Sequence, residues 1–151
     1  MLTISYAMWD TLIKKTSIKA NVGAGHSLGE YTALVANNTI SFRDALMLVK
    51  KRAEFMSSAM VDVDGAMAAV IGLDGNEVRD ICKKASKDGA IIEAVNFNCP
   101  GQTVIAGHTV AVEDITTVLK TSGAKIVKKL PVSLAAHTSL LKSVSNDLRD
   151  E

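Results

Sequence analysis

Three stretches in the first sixty residues carry apolar side chains at helical spacing. The first is residues 2–15, whose stripe comprises Leu2, Tyr6, Trp9 and Ile13. The second, 28–37, directly follows a short apolar run, 22–26, whose two glycines predict a buried strand turning sharply into a helix. The third begins at Ser41, which with Asp44 forms a capping-box-like start, and it continues for roughly five turns.

After residue 62 the pattern changes to short apolar runs separated by helical segments. The predicted elements are a strand at 65–73, a helix capped by Asp74 and ended by Gly89, strands at 91–97 and 103–108 joined by a turn at 98–101, a helix closed by Gly123, and a strand at 125–130. This β-α-β-β-α-β order is that of the ferredoxin-like split unit. It is complete in ~65 residues and is predicted to be followed by a helix from His137 to Arg149.

The segments on either side of this unit predict a second, incomplete α/β domain. They supply one clear strand, and a single strand with helices cannot form a doubly wound sheet. We therefore predict three parts: 1–62 and 131–151 belong to one partial core, and 63–130 is the inserted small subdomain.

Composition and charge exclude several classes of protein. The chain has 151 residues, of which 48% are hydrophobic and 22% charged, with a formal net charge of +1. A disordered tail would be less apolar and more highly charged, and a nucleic-acid module would carry a basic excess. No apolar run reaches the ~18 residues of a membrane span. The two cysteines lack a CxxC pattern, so we expect reduced thiols, no structural metal and a cytoplasmic protein.

The run Gly25-His26-Ser27-Leu28-Gly29 fits G-x-S-x-G, between a predicted strand and a predicted helix. In a nucleophile elbow the serine lies at the tip of a strained turn, flanking glycines avoid steric clash, and the next backbone N–H faces an oxyanion. The alternative interpretation is a glycine-flanked serine that only caps a helix. The strand-turn-helix context favours the elbow.

A serine nucleophile needs a general base, and the chain has three histidines. We expect His26 to point away from the elbow tip as a packed structural residue, and His108, at the end of a strand, to be solvated. His137 follows Pro131 in a loop of small residues that leaves the small unit. A surface histidine is the alternative interpretation for that position.

Three runs together resemble one enzyme family: Ala24-Gly25-His26-Ser27-Leu28-Gly29-Glu30-Tyr31-Thr32-Ala33-Leu34, the run Gly65–Leu73 (GAMAAVIGL), and the run Val95–His108 (VNFNCPGQTVIAGH). They closely resemble the malonyl-CoA:acyl carrier protein transacylases of bacterial fatty acid synthesis. The resemblance covers essentially all 151 residues. It implies an α/β-hydrolase-like acyltransferase core interrupted by a ferredoxin-like subdomain.

The resemblance also implies roles for single residues. Ser27 corresponds to the acylated nucleophile and His137 to the general base. Arg52 corresponds to the arginine that pairs with the malonyl carboxylate, although a solvated surface arginine is the plainer interpretation of that position. Leu28 would supply one oxyanion N–H.

Two further residues, Asn96 and Asn98, resemble asparagines near the pantetheine path, with turn capping as the alternative. The sequence departs from the family at Ala135-Ala136, where most members carry Pro-Ser or a similar pair. It also implies that the N-terminal loop with the second oxyanion donor, and the C-terminal part that orients the imidazole, lie outside this sequence.

The resemblance implies malonyl transfer from malonyl-CoA to the phosphopantetheine thiol of acyl carrier protein, through a malonyl-serine intermediate. The expected partners are malonyl-CoA and acyl carrier protein, without nucleic acid or membrane, and no metal or other cofactor is expected. Two alternatives remain at this point: a serine esterase or thioesterase, which would share the elbow and the histidine, and a non-catalytic truncated fragment.

Overall fold

The computed structural model describes residues 1–149 and has an α/β fold with a small antiparallel sheet. It divides into two compact units, residues 1–54 and 55–149, which are described separately below. Residues 150 and 151, the end of the predicted segment 131–151, lie outside the described residues. Within residues 1–149 no helix is both long enough and apolar enough to cross a membrane.

The first unit is built from helices. These are α1 (Leu2–Lys15), α2 (Gly29–Ala36) and α3 (Phe42–Ser58), whose last turn belongs to the second unit. Its core consists of three buried residues with six partly buried ones around them: Leu2, Val35 and Ala45, then Tyr6, Leu28, Tyr31, Ile40, Phe42 and Val49. The Asp44 N–H donates to Ser41 Oγ at 3.1 Å, so the predicted start of α3 is confirmed.

The predicted strand at 22–26 is wrong. This segment has no regular secondary structure, and Val22 is 87% exposed. A strand is stabilised by hydrogen bonds to a neighbouring strand. Among the described residues of the first unit there is no other strand with which the segment 22–26 can pair. The apolar run therefore lies exposed, with an irregular backbone.

The second unit contains a four-stranded sheet with two helices. Its elements are β1 (Gly65–Ile71), α4 (Gly75–Ala85), β2 (Ile92–Cys99), β3 (Gln102–His108), α5 (Thr109–Thr121) and β4 (Ile126–Lys129). The spatial order is β2-β3-β1-β4, and every neighbouring pair is antiparallel. The predicted β-α-β-β-α-β element order is therefore present. Asp74 accepts from the N–H groups of Asn76 and Glu77, as its predicted role as the cap of α4 requires.

The two faces of this sheet are covered differently. Helices α4 and α5 pack on one face, where the buried residues include Val70, Val78, Ile105, Ile115 and Leu119. The other face carries Met67, Val104 and Ala106, which pack against Met60 and against the segment 134–141. That segment contains His137, so the sheet supports the backbone on which the predicted base is carried.

The C-terminal part of the described chain differs from the prediction. Instead of one helix from His137 to Arg149, it forms a 3-10 turn, Ser139–Leu141, and one short helix, α6 (Val144–Asp147). Ser, Asn and Asp side chains compete for backbone hydrogen bonds, which disfavours helix interiors. Val144 is the one buried residue of α6, so packing adds little to hold a longer helix.

Candidate active site

Ser27 occupies a sharp turn immediately before α2. Its φ is 54°, in the left-handed region that costs a non-glycine residue energy. The turn is closed by Gly29 N–H donating to the His26 carbonyl at 2.9 Å and by Glu30 N–H donating to the Ser27 carbonyl at 3.1 Å. The backbone at Ser27 therefore has the strained turn that a nucleophile elbow requires, directly before a helix.

The two glycines of the motif have different roles. A Cβ on Gly25 would collide with the backbone of Gly29 and Glu30, since the chain folds back on itself there. A Cβ on Gly29 would meet nothing within 4 Å. Only the glycine before the serine is therefore required by close packing in this unit.

Arg52 and Ser27 are brought together within the first unit. Arg52 lies on α3 and is half-buried, and its Nη2 donates a hydrogen bond to Ser27 Oγ at 3.0 Å. The guanidinium is permanently charged and presents several donors in a planar fork. The serine oxygen therefore lies beside a fixed positive charge that can also hold a carboxylate.

The backbone N–H of Leu28 is available at the same turn. Within the described residues it makes no hydrogen bond, and the Leu28 side chain packs against the core of the first unit. An N–H at the start of a helix favours negative charge. In a nucleophile elbow the N–H directly after the serine is the one that faces the oxyanion.

A cavity of about 670 Å³ lies next to the elbow, but neither Ser27 nor Arg52 lines it. Its walls are α1, the segment 20–26 and α2, and they include Trp9 and His26. We therefore place the candidate chemistry at the Ser27–Arg52 contact and not in this cavity.

His137 belongs to the second unit. It is exposed, and its φ of 65° also lies in the left-handed region. The residues before it are fixed: Ala135 is fully buried, and a Cβ on Gly65 would come within 2.7 Å of the Ala135 nitrogen. The buried hydroxyl of Thr138 donates to the Ala135 carbonyl at 2.8 Å. The histidine thus projects from a tightly packed turn and not from a helix.

Glu93 is a residue that the sequence analysis did not identify. From β2 it hydrogen-bonds Ser139, which is 46 residues away along the chain. The available signal was that Glu93 is the only charged residue in the strand Ile92–Cys99. A lone carboxylate in a strand without other charges points to a specific partner, but the spacing does not identify that partner.

The two asparagines lie in β2. Asn96 is half-buried and pairs with Val104, and Asn98 is exposed beside an irregularity in the β2–β3 register. The strand extends to Cys99, so the turn contains only Pro100 and Gly101. The alternative interpretation of these asparagines as turn caps is therefore wrong, because both are strand residues.

The other two histidines have distinct environments. His26 is exposed, so the expectation of a packed structural residue is wrong. His108 is half-buried, and its Nδ1 accepts the Ile91 N–H at 2.9 Å. That nitrogen is therefore already occupied and cannot act as a base without breaking a backbone hydrogen bond.

The candidate metal ligands and the two cysteines were located in the same way. Within residues 1–149 no group of three or more His, Cys, Asp or Glu side chains is placed to hold a metal ion. Cys82 is buried and Cys99 is exposed, and both are free thiols. Burial raises the pKa of the Cys82 thiol to about 12.

Comparisons with known proteins agree on one family. The sequence pattern of the acyl transferase domain matches residues 1–151. The malonyl CoA-acyl carrier protein transacylase of Salmonella typhimurium is 42% identical over 151 residues, which are 100% of this chain and 48% of that protein. The chain thus spans about half the length of the curated relatives it matches.

Solved structures give the same result. The acyl-carrier-protein S-malonyltransferase of Burkholderia pseudomallei is 48% identical, with a TM-score of 0.92 over 99% of this chain and 48% of its own. A complex of a type II PKS acyl-carrier protein with its malonyl-transacylase matches with a TM-score of 0.91 and 41% identity, over 97% of this chain and 47% of the matched one.

Proposed function

Because the chain belongs to the acyl transferase domain family, we propose that the protein transfers a malonyl group from malonyl-CoA to the phosphopantetheine thiol of acyl carrier protein, in fatty acid biosynthesis. The observation that carries this proposal is the 3.0 Å contact between Arg52 and Ser27. It joins a serine on a strained turn to a side chain that can recognise a carboxylate. Relatives named as malonyl transacylases support the choice of acyl group.

In the first half-reaction Ser27 Oγ attacks the thioester carbonyl of malonyl-CoA. His137 takes the serine proton, and the Leu28 N–H stabilises the oxyanion of the tetrahedral intermediate. The carbon–sulfur bond then breaks, and CoA leaves as a thiol after receiving the proton from His137. A malonyl-serine ester remains.

In the second half-reaction the carrier-protein thiol attacks this ester. His137 accepts the thiol proton and returns it to Ser27 Oγ as the carbon–oxygen bond breaks. Asn96 and Asn98 are proposed to contact the pantetheine arm, and acyl carrier protein and malonyl-CoA are the proposed partners. The cycle needs neither a metal nor a redox cofactor.

Two hydrogen-bond acceptors, Ser27 Oγ and the malonyl carboxylate, compete for the Arg52 guanidinium in this cycle. In the structure one of its nitrogens donates to Ser27 Oγ. A malonyl carboxylate is a charged acceptor that the guanidinium can bind through two parallel hydrogen bonds, which are stronger than one bond to a neutral hydroxyl. Substrate binding therefore exchanges the serine contact for the carboxylate and releases the Ser27 oxygen for attack.

The sheet order β2-β3-β1-β4 with two helices on one face supports a ferredoxin-like subdomain at 63–130. Residues 1–62 and 131–151 are proposed to belong to an α/β-hydrolase-like core, with the elbow in the first of these segments.

Acylation of Ser27 is the direct test. Incubation with malonyl-CoA should add one malonyl group, detected by intact mass and placed on Ser27 by peptide mapping. Ser27→Ala should abolish the label, whereas Ser17→Ala, an exposed serine in the same unit, should keep it. A label that survives Ser27→Ala would overturn the proposal. Loss of the label to water as fast as to acyl carrier protein would favour an esterase instead.

His137 is tested in the same assay. His137→Ala should slow acylation by ~10²- to 10⁴-fold, which is the usual contribution of a positioned acid–base group. Lys142→Ala, which removes an exposed side chain just after the 3-10 turn of the same unit, is the control and should acylate normally. An unchanged rate in His137→Ala would place the base elsewhere.

A further inference from the structure

Glu93 and Ser139 are joined by two hydrogen bonds. Glu93 Oε2 accepts the backbone N–H of Ser139 at 2.9 Å, and Oε1 accepts its hydroxyl at 2.6 Å. Both carboxylate oxygens therefore hold the first residue of the 3-10 turn Ser139–Leu141. Hydrogen bonds to an ionised acceptor are about twice as strong as neutral ones.

The register of the sheet explains why Glu93 reaches this turn. Glu93 pairs with Ala106, and directly paired residues of an antiparallel ladder share one face. Ala106 lies in the cluster that the segment 134–141 covers. The Glu93 carboxylate therefore projects from the edge strand β2 on the face over which the His137 segment runs.

The backbone around His137 is consequently fixed on both sides. Before it, Ala135 is fully buried and lies against Gly65. After it, Thr138 bonds back to Ala135, and Ser139 is held by Glu93. The histidine lies between these two attachment points in a left-handed conformation that neighbouring contacts must maintain.

Contacts have to supply this restraint, because the local sequence does not. Ala135 and Ala136 have no ring that fixes φ, and the turn after His137 has only three residues. A misplacement of about 1 Å in a catalytic group can cost ~10²-fold in rate. We propose that Glu93 is a positioning residue that holds the His137 turn in its active conformation by binding Ser139. Its effect on catalysis rests on the proposed function of His137.

The contact itself is tested by amide hydrogen exchange in the full chain. Glu93→Ala should raise the exchange rate of the Ser139 amide about 10-fold, because it removes a charged acceptor in a partly exposed site. Glu93→Gln keeps one acceptor oxygen, so its effect should be about 3-fold. Glu113→Ala is the control: it removes a carboxylate that pairs with Lys129 at 2.9 Å in the same unit, and it should leave Ser139 unchanged.

Positioning is tested by the order of the His137 backbone, from ¹⁵N relaxation. In the wild type the order parameter should be near the rigid value of ~0.85, and in Glu93→Ala it should fall below ~0.6. In the acylation assay, the acylation rate constant at saturating malonyl-CoA should fall about 10-fold, and the malonyl-CoA concentration that gives half of that rate should stay unchanged. In Glu93→Gln the rate should fall by only about 3-fold, because the amide keeps one acceptor oxygen.

A double mutant distinguishes loss of the Glu93–Ser139 contact, which we call the clamp, from a general effect on folding. Ser139→Ala removes only the hydroxyl bond, and adding it to Glu93→Ala should cost nothing further, since the two residues act as one unit. Additive losses, or an unchanged order parameter at His137 in Glu93→Ala, would overturn the proposal.

The outcome for the clamp can be distinguished from that for the proposed function. If the wild-type protein forms no malonyl-serine, the proposed function fails, and exchange and relaxation still decide whether Glu93 orders the His137 turn. If the wild type is acylated and Glu93→Ala is acylated at the wild-type rate, the positioning role is overturned and the proposed function stands.

Discussion

Replacing Arg52 by alanine should change which acyl group the protein accepts more than how fast it works. Malonyl and acetyl thioesters differ by one carboxylate, which we propose that Arg52 binds. The mutation removes the partner of the malonyl carboxylate. For acetyl, which has no such carboxylate, it removes only the 3.0 Å hydrogen bond between Arg52 and Ser27 Oγ. The quantity to measure is therefore the ratio of kcat/KM for malonyl-CoA to that for acetyl-CoA.

The position of Arg52 sets the size of the effect. Truncating one partner of a buried charge pair costs ~2–5 kcal/mol. Arg52 is half-buried, so solvent screening places it in the lower part of this range, at ~2–3 kcal/mol. Each ~1.4 kcal/mol is a factor of ten, so malonyl kcat/KM should fall roughly 30- to 150-fold. Acetyl kcat/KM should change by less than about 3-fold. Acetyl transfer loses only the single hydrogen bond from Arg52 to Ser27, and this loss also leaves the serine oxygen free for attack.

Two further variants test the reasoning. Arg52→Lys keeps the charge but loses the planar fork, so its malonyl activity should lie between wild type and Arg52→Ala. Arg43→Ala removes an exposed arginine from the same helix and should leave the ratio unchanged. Equal losses for malonyl and acetyl in Arg52→Ala would show that Arg52 supports the fold, and the carboxylate reasoning would be refuted.

The remaining predictions concern the elbow glycines and the thiols. Gly25→Ala should lower the free energy of unfolding by more than ~2 kcal/mol in urea titrations, because its Cβ meets backbone, whereas Gly29→Ala should be neutral or slightly stabilising. Native protein at pH 8 should alkylate at Cys99, and Cys82 should react ~100-fold more slowly until urea unfolds the chain; equal rates by peptide mass mapping would contradict its burial. Burial raises the Cys82 pKa from its ordinary 9.0 to about 12. Between these two pH values the thiol loses its proton in the unfolded chain but keeps it in the folded protein. Stability should therefore fall by up to ~1.4 kcal/mol per pH unit from pH 9 to 12, and Cys82→Ala should show a shallower fall.

Local patterns predicted the elements that local forces decide. The hairpin β2–β3 follows from two apolar runs around Pro100-Gly101, where Gly101 has a φ of 75°. The turn at Ser27 follows from a five-residue motif whose steric requirement at Gly25 is itself local. In these cases the residues that determine the conformation lie within a few positions of one another.

Features that depend on distant partners were not predictable in the same way. The run 22–26 is short and largely apolar, which suggested a buried strand, yet a strand also requires a neighbour. The contact between Glu93 and Ser139 joins residues 46 positions apart, and only the register of β2 against β3 places them on one face. The resemblance assigned His137 a role, but the local sequence gave no sign of its left-handed backbone, which lies two residues after Ala135, a residue buried against the sheet.

The outer strands of the sheet protect the second unit from pairing with other chains. An exposed strand edge is a template for aggregation, and lysines, bulges and short length are the usual defences against it. Strand β4 is four residues long and ends in Lys128-Lys129, and β2 has two register shifts along its length. Neither edge therefore offers a long, flat row of hydrogen-bonding groups, so this sheet resists growth by strand addition.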